Sequence, residues 1–103
     1  MRYEYIYISG KITGDPDYEW KFQKAAETLV EAGWSYWYIV NPARESCRLW
    51  PWWRCMVHDL RLLWKCGYVA MLPDWNESRG ARIEHWVARL LKKEIIYLPT
   101  NKQ

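Results

Sequence analysis

Residues 66–73 read Cys66-Gly67-Tyr68-Val69-Ala70-Met71-Leu72-Pro73. Tyr68 to Leu72 is short, β-rich and uncharged, the pattern of a strand buried on both faces. Such a strand sits inside a parallel sheet covered by helices, and the flanking sequence supplies them. Upstream, Pro51 can open a helix with an apolar stripe of Trp53, Met56, Val57, Leu60, Leu63 and Trp64, and Gly67 stands at its C-terminal end. Downstream, Pro73-Asp74-Trp75-Asn76 turns the chain, and Ser78 is placed to N-cap a last helix. That helix would turn Ile83, Val87, Leu90 and Leu91 inward, with Lys92 and Lys93 near its negative end. Glu94 to Leu98 reads as another strand.

The N-terminal half repeats the alternation. Tyr3 to Ile8 reads as the first strand, and Ser9-Gly10-Lys11-Ile12-Thr13-Gly14 as a loop. Asp15-Pro16 reads as an N-cap followed by a first-turn proline. Tyr18, Phe22, Ala25, Leu29 and Val30 fall at helical spacing, and Gly33 ends that helix. Trp34 to Val40 reads as the second strand, closed by Asn41-Pro42, and a loop runs on through Arg44 and Cys47. The order β-α-β-α-β-α-β predicts one α/β domain over residues 1–103. Its sheet is parallel, of about four strands with flanking helices, Rossmann/flavodoxin-like. Ligands of such sheets bind at the carboxyl ends of the strands. The loops there are Ser9–Gly14, Asn41–Pro42 and Pro73–Ser78.

Size and composition narrow the function. A chain of 103 residues and 12.6 kDa leaves no room for a separate cofactor module. The nine Trp and eight Tyr against one Phe suit wet interfaces and pocket walls as well as cores. Net charge is +3, with no basic run, so there is no strong nucleic-acid signal. Arg44, Arg48, Arg54, Arg61 and Lys65 read as a solvated helix face. Cys47, Cys55 and Cys66 form no disulfide framework. Cys55 and His58 make half of a zinc pattern that His85 and Cys47 complete only on paper, so reduced thiols and no metal are expected. The longest uncharged run, Ala32 to Ala43, is too short to span a membrane, and the N-terminus shows no apolar leader. A cytoplasmic protein is the expectation.

Candidate chemistry lies at the ligand edge. Gly10 and Gly14 could let backbone N–H groups approach an anion, with Ser9, Lys11 and Thr13 completing a phosphate cradle; a plain tight turn fits the same residues. In Ser78-Arg79-Gly80-Ala81-Arg82-Ile83-Glu84-His85, helical spacing puts Gly80, Ala81 and Glu84 on one face. The two small residues leave space beside the carboxylate, although on spacing alone a plain surface glutamate fits better. Asp59 borders the apolar stripe of the preceding helix, and Tyr7 shares a strand face with Tyr3 and Tyr5.

These segments, with Asn41-Pro42 and His58-Asp59-Leu60 between them, occur in the order found in the nucleoside 2-deoxyribosyltransferase-like superfamily. The chain resembles that superfamily over nearly its whole length, especially its small phage and prophage members. The resemblance extends to deoxynucleoside 5′-monophosphate N-glycosidases of the same fold. It implies Glu84 as the nucleophile on the anomeric carbon, Tyr7 as the residue orienting it, and Asp59 as an aid to base protonation or sugar placement. It implies that Ser78 and the Lys11–Thr13 loop receive a 5′-phosphate. Ser9, Gly10, Asn41 and Gly80 complete the expected substrate contacts. The expected ligand is a nucleoside or nucleotide, with no cofactor. Relatives are oligomeric, which with the Trp content implies a homodimer or larger assembly. Gly67, where many relatives carry an acid, and Arg82 depart from the pattern. A binding or ligand-sequestering module that keeps the pocket without turnover is the alternative, and an interaction scaffold with a Trp-rich surface is a third reading. Trp34, Trp37, Trp50 and Trp75 are candidates to stack on a base, and packing suits each equally.

Overall fold

A computed structural model describes residues 4–12, 14–42 and 50–99. Four parallel strands form one sheet: β1 (Ile6–Ser9), β2 (Ile39–Val40), β3 (Tyr68–Met71) and β4 (Glu94–Tyr97). Their spatial order is β2-β1-β3-β4. Three helices connect them: α1 (Tyr18–Glu31), α2 (Trp52–Trp64) and α3 (Arg79–Leu90). The expected single α/β domain with a parallel, Rossmann-like sheet is what the chain forms. Strand order reverses direction between β1 and β3, where the α/β rule places a ligand crevice.

Period-two alternation divides the strands between two cores. Ile6, Ile8, Ala70 and Leu72 pack against Phe22, Ala25, Ala26 and Leu29 of α1. Tyr7, Val69 and Met71 pack on the other face with Leu63, Cys66 and Ala88. β3 is covered from both sides, as its uncharged sequence predicts. Each fully buried aliphatic or Phe side chain contributes about 1.5–3 kcal/mol.

Several boundaries differ from the sequence reading. β1 starts at Ile6 and takes in Ser9. Of the run Trp34 to Val40, only Ile39 and Val40 pair with β1; Tyr36–Tyr38 is a 3-10 turn. The Trp34 N–H is held by the Leu29 carbonyl at the end of α1, so the chain turns before it can join the sheet. α1 begins at Tyr18, and Asp15 instead accepts the Asp17 N–H and pairs with Lys21. Gly33 does end the helix, in the left-handed region at φ 109°. Gly67 takes no such conformation; its N–H bonds the Tyr5 carbonyl.

The stripes are narrower than the apolar pattern suggests. On α2 only Met56 and Leu63 are buried, while Trp53, Val57 and Trp64 face outward. On α3 the buried face is Ala81, Glu84 and Ala88, and Leu90 is exposed. Val30 of α1 is exposed as well. The sheet surface is short, so one or two turns of each helix cover it and the remaining apolar residues stay outside. Ser78 caps α3 as expected, accepting the Ala81 N–H at 3.2 Å. Lys93 donates to the Trp64 carbonyl at 2.8 Å, closing the C-terminal end of α2. No helix of the described residues is long and apolar enough to cross a membrane.

Candidate active site

β1 carries Tyr7 and Ser9 on one face, two residues apart, and α3 crosses that face with Glu84 on its buried side. The Tyr7 hydroxyl donates to Glu84 Oε2 at 2.7 Å. The Ser9 hydroxyl donates to Glu84 Oε1 at 2.6 Å. Both carboxylate oxygens are therefore held, and Glu84 is only 5% exposed. Burial pushes its pKa up to about 8, and the negative charge of Asp59 adds to the rise. The Ser9 and Tyr7 hydrogen bonds pull in the opposite direction. Burial and the same carboxylates hold the Tyr7 phenol well above its ordinary pKa, so it remains a donor.

Glu84 opens onto a cavity of about 670 Å³ at the carboxyl edge of the sheet. Gly80 and Ala81 line it beside the carboxylate, as their spacing predicts. Asp59 reaches it from α2, and Ser78 from the start of α3. Aromatic walls come from Tyr18, Phe22, Trp50 and Trp52. The volume suits one small-molecule ligand. An acid held by two fixed donors beside a second carboxylate can act as a nucleophile or as a proton carrier.

The expected residues separate into two groups. Tyr7, Glu84, Asp59, Ser78, Gly80 and Gly10 line the cavity. Ser9 does not line it but lies beneath, 1% exposed, behind the carboxylate. Lys11 is outside the lining; its ammonium stands 3.9 Å from Glu77, and its N–H donates to Asp74. Thr13 lies outside the described residues, as does Cys47. Asn41 is buried beside the cavity-lining Pro42. Gly10 has a packing role: a Cβ there would lie 2.3 Å from Leu72 Cδ1. The first loop contributes Asp15 to the cavity, and Lys21 joins Asp15 to Asp74 just behind. That ion pair holds the Asp15 carboxyl below its ordinary pKa.

Of the four tryptophans expected as walls, only Trp50 lines the cavity. Trp34 packs edge-on against Tyr68, Trp75 stacks on His85 at 4.1 Å, and Trp37 is 84% exposed. The walls the sequence reading missed are Tyr18 and Phe22 of α1, which it assigned to the helix stripe, and Trp52. The signal for Trp52 was its position in the first turn of a helix fed by a loop at the ligand edge. Cys55 also lines the cavity, whereas Cys66 is buried and donates to the Leu62 carbonyl. His58 stands 3.5 Å from Asp59, and His85 pairs with Tyr97. Gly67 and Arg82 do not touch the site. Gly67 lies at the opposite edge of the sheet, and Arg82 is exposed on α3.

Residues 4–97 match the family model described as Domain of unknown function (DUF4406), and the chain belongs to that family. No curated protein and no solved structure matches it.

Proposed function

We propose that this chain cleaves or transfers the N-glycosidic bond of a 2′-deoxynucleoside or its 5′-monophosphate, with Glu84 as nucleophile. The observation that carries the reading is the Glu84 carboxylate, held by Tyr7 and Ser9 at the wall of an aromatic-lined cavity. The ordered motifs resemble those of nucleoside 2-deoxyribosyltransferase-like proteins, and that resemblance supports the same chemistry. One Glu84 oxygen attacks C1′ as the C1′–N bond breaks, and the bonding electron pair leaves with the base. The base takes up a proton as it leaves, and in this reading Asp59 assists that protonation or positions the sugar. Water or a second base then attacks C1′ and frees the carboxylate. Tyr7 and Ser9 fix the carboxylate before the sugar arrives, so little reorganisation is needed during the step.

A 5′-phosphate fits best at the start of α3, where Ser78 and Gly80 line the cavity and the helix end is positive. Monophosphates are expected to bind about tenfold to a hundredfold better than nucleosides, since each charge-assisted hydrogen bond is worth roughly 1.5–3 kcal/mol. The experiment is a panel of deoxynucleosides and their 5′-monophosphates, with free base followed by chromatography and binding by calorimetry. No base released from any member would refute the reaction. Ser78→Ala should narrow the gap between the two substrate classes. A gap closed instead by Lys11→Ala would move the phosphate to the first loop.

A homo-oligomer belongs to the same reading. Trp20 on α1 and Trp37 before β2 leave apolar surface exposed outside the α2–α3 face. Light scattering at micromolar concentration should give at least twice the chain mass, and a monomer mass would refute this part.

A further inference from the structure

α2 and α3 pack together on one face of the sheet, and their outer surface has a single chemistry. The charged residues of the two helices, apart from His58 and His85, are five arginines and two acids. Both acids, Asp59 and Glu84, turn into the cavity. Arg54, Arg61, Arg79, Arg82 and Arg89 are all exposed. Between them stand Trp53, Trp64 and Trp86, which are 63%, 66% and 62% exposed. Helical spacing aligns Trp53, Val57, Arg61 and Trp64 on α2, and Arg82, Trp86 and Arg89 on α3. The other side of the sheet is opposite in charge: α1 exposes Glu19, Glu27 and Glu31, with Lys24 paired to Glu27.

This pattern selects its occupant. A two-fold contact with a second copy would set arginines against arginines, with no exposed acid on either helix to meet them. A duplex would engage the guanidinium groups and leave the indoles idle. A single strand uses both, with phosphates on arginine and unstacked bases on tryptophan. The cation–indole pairing is already built at the cavity mouth. Arg79 lies 4.1 Å over Trp52 and Arg54 lies 4.7 Å over Trp50. Both of these tryptophans line the cavity, so the basic aromatic face runs up to its opening.

We infer that the α2–α3 face binds single-stranded DNA. The choice of DNA rests on the deoxyribose reading of the cavity. It agrees with the absence, on the outer surface of these helices, of Ser, Thr, Asn or Gln side chains to grip a 2′-hydroxyl.

The test is fluorescence anisotropy of a labelled oligothymidylate with the full chain, repeated across a salt series. Affinity should fall with salt, by a slope of about −0.7 for each phosphate engaged. Arg61→Gln with Arg89→Gln should flatten that slope by about 1.4. Trp53→Ala and Trp86→Ala should each weaken binding about tenfold and leave the slope unchanged. These side chains are exposed, so circular dichroism should show the fold intact. Lys24→Gln, on α1, should leave both affinity and slope unchanged.

Duplex DNA or heparin binding as tightly as the single strand would overturn the inference. So would unchanged affinity in both tryptophan variants, or tighter binding of oligouridylate. No binding, together with self-association lost in Arg61→Glu, would give the face to a second copy. None of these variants touches Glu84, Tyr7 or Asp59. Loss of strand binding with base release intact, or the reverse, therefore separates this inference from the proposed reaction.

Discussion

Glu84→Gln is expected to lower base release by roughly a thousandfold or more while leaving the fold intact. Glutamine has nearly the same shape but cannot form the ester to C1′. Its fit should be good. The Tyr7 and Ser9 hydroxyls, now 2.7 and 2.6 Å from the two carboxylate oxygens, can each donate or accept. The amide carbonyl can take one hydroxyl proton while the amide nitrogen donates to the other oxygen. No buried polar atom need lose its partner, so the variant should bind substrate nearly as well as the parent. Chromatography of released base and calorimetry of binding read the two effects separately. Turnover retained in this variant would remove Glu84 from the reaction. Binding retained without turnover in the parent chain would favour a sequestering role for the same cavity.

Periodicity made the shared face of this site legible in the sequence, whereas the choice of Glu84, Tyr7 and Asp59 came from the family resemblance, since spacing alone favours a surface glutamate. Gly80, Ala81 and Glu84 share a helical face whatever surrounds them, and the alternation of elements placed that face at the ligand edge. The same period-two rule that groups Tyr7 with Tyr5 also groups it with Ser9. Applied one step further along β1, it would have put Ser9 behind the carboxylate rather than among the substrate contacts. What periodicity cannot give is which stripe a short sheet has room to cover. Trp53, Val57 and Trp64 look like core by spacing, yet Met56 and Leu63 fill the space available. Lys11 stands outside the cavity lining for a different reason. Its reach is decided by Glu77 and Asp74, more than 60 residues away in sequence, and local pattern carries no such information. Gly10 was ambiguous in the same way. Its lack of a side chain is explained by Leu72, at the end of a strand that only the sheet order brings beside it.

Activity and stability should run in opposite directions with pH across the same window. The Glu84 pKa is raised to about 8, while in the unfolded chain it returns to the ordinary glutamate range near 4.5. Between these values the native state holds a proton that the unfolded state has lost. The stability this contributes is complete below about pH 4.5. It falls by about 1.4 kcal/mol per pH unit as pH rises, until the native carboxyl ionises near pH 8. The nucleophile is the ionised form, so kcat/KM should rise about tenfold per unit up to the same midpoint. Roughly a tenth of the free protein is competent at pH 7. Glu84→Gln should abolish the Glu84 part of the stability slope, which urea midpoints at pH 5 and pH 8 would show.

The variants around the carboxylate should move the midpoint with opposite signs. Asp59→Asn removes a negative charge that raises the Glu84 pKa, so the rise in kcat/KM should begin at lower pH, whatever happens to the maximal rate. Ser9→Ala and Tyr7→Phe each remove a hydrogen bond that favours the ionised form, so both should shift the midpoint upward, Ser9→Ala the more. A purely structural role for these three residues would change amplitude and leave the midpoint where it was. A midpoint that fails to move, or moves down on losing Ser9, would mean that another group governs the reaction. The opposed shifts follow from the geometry: two hydroxyls and one carboxylate act on the same proton, and only the carboxylate favours keeping it.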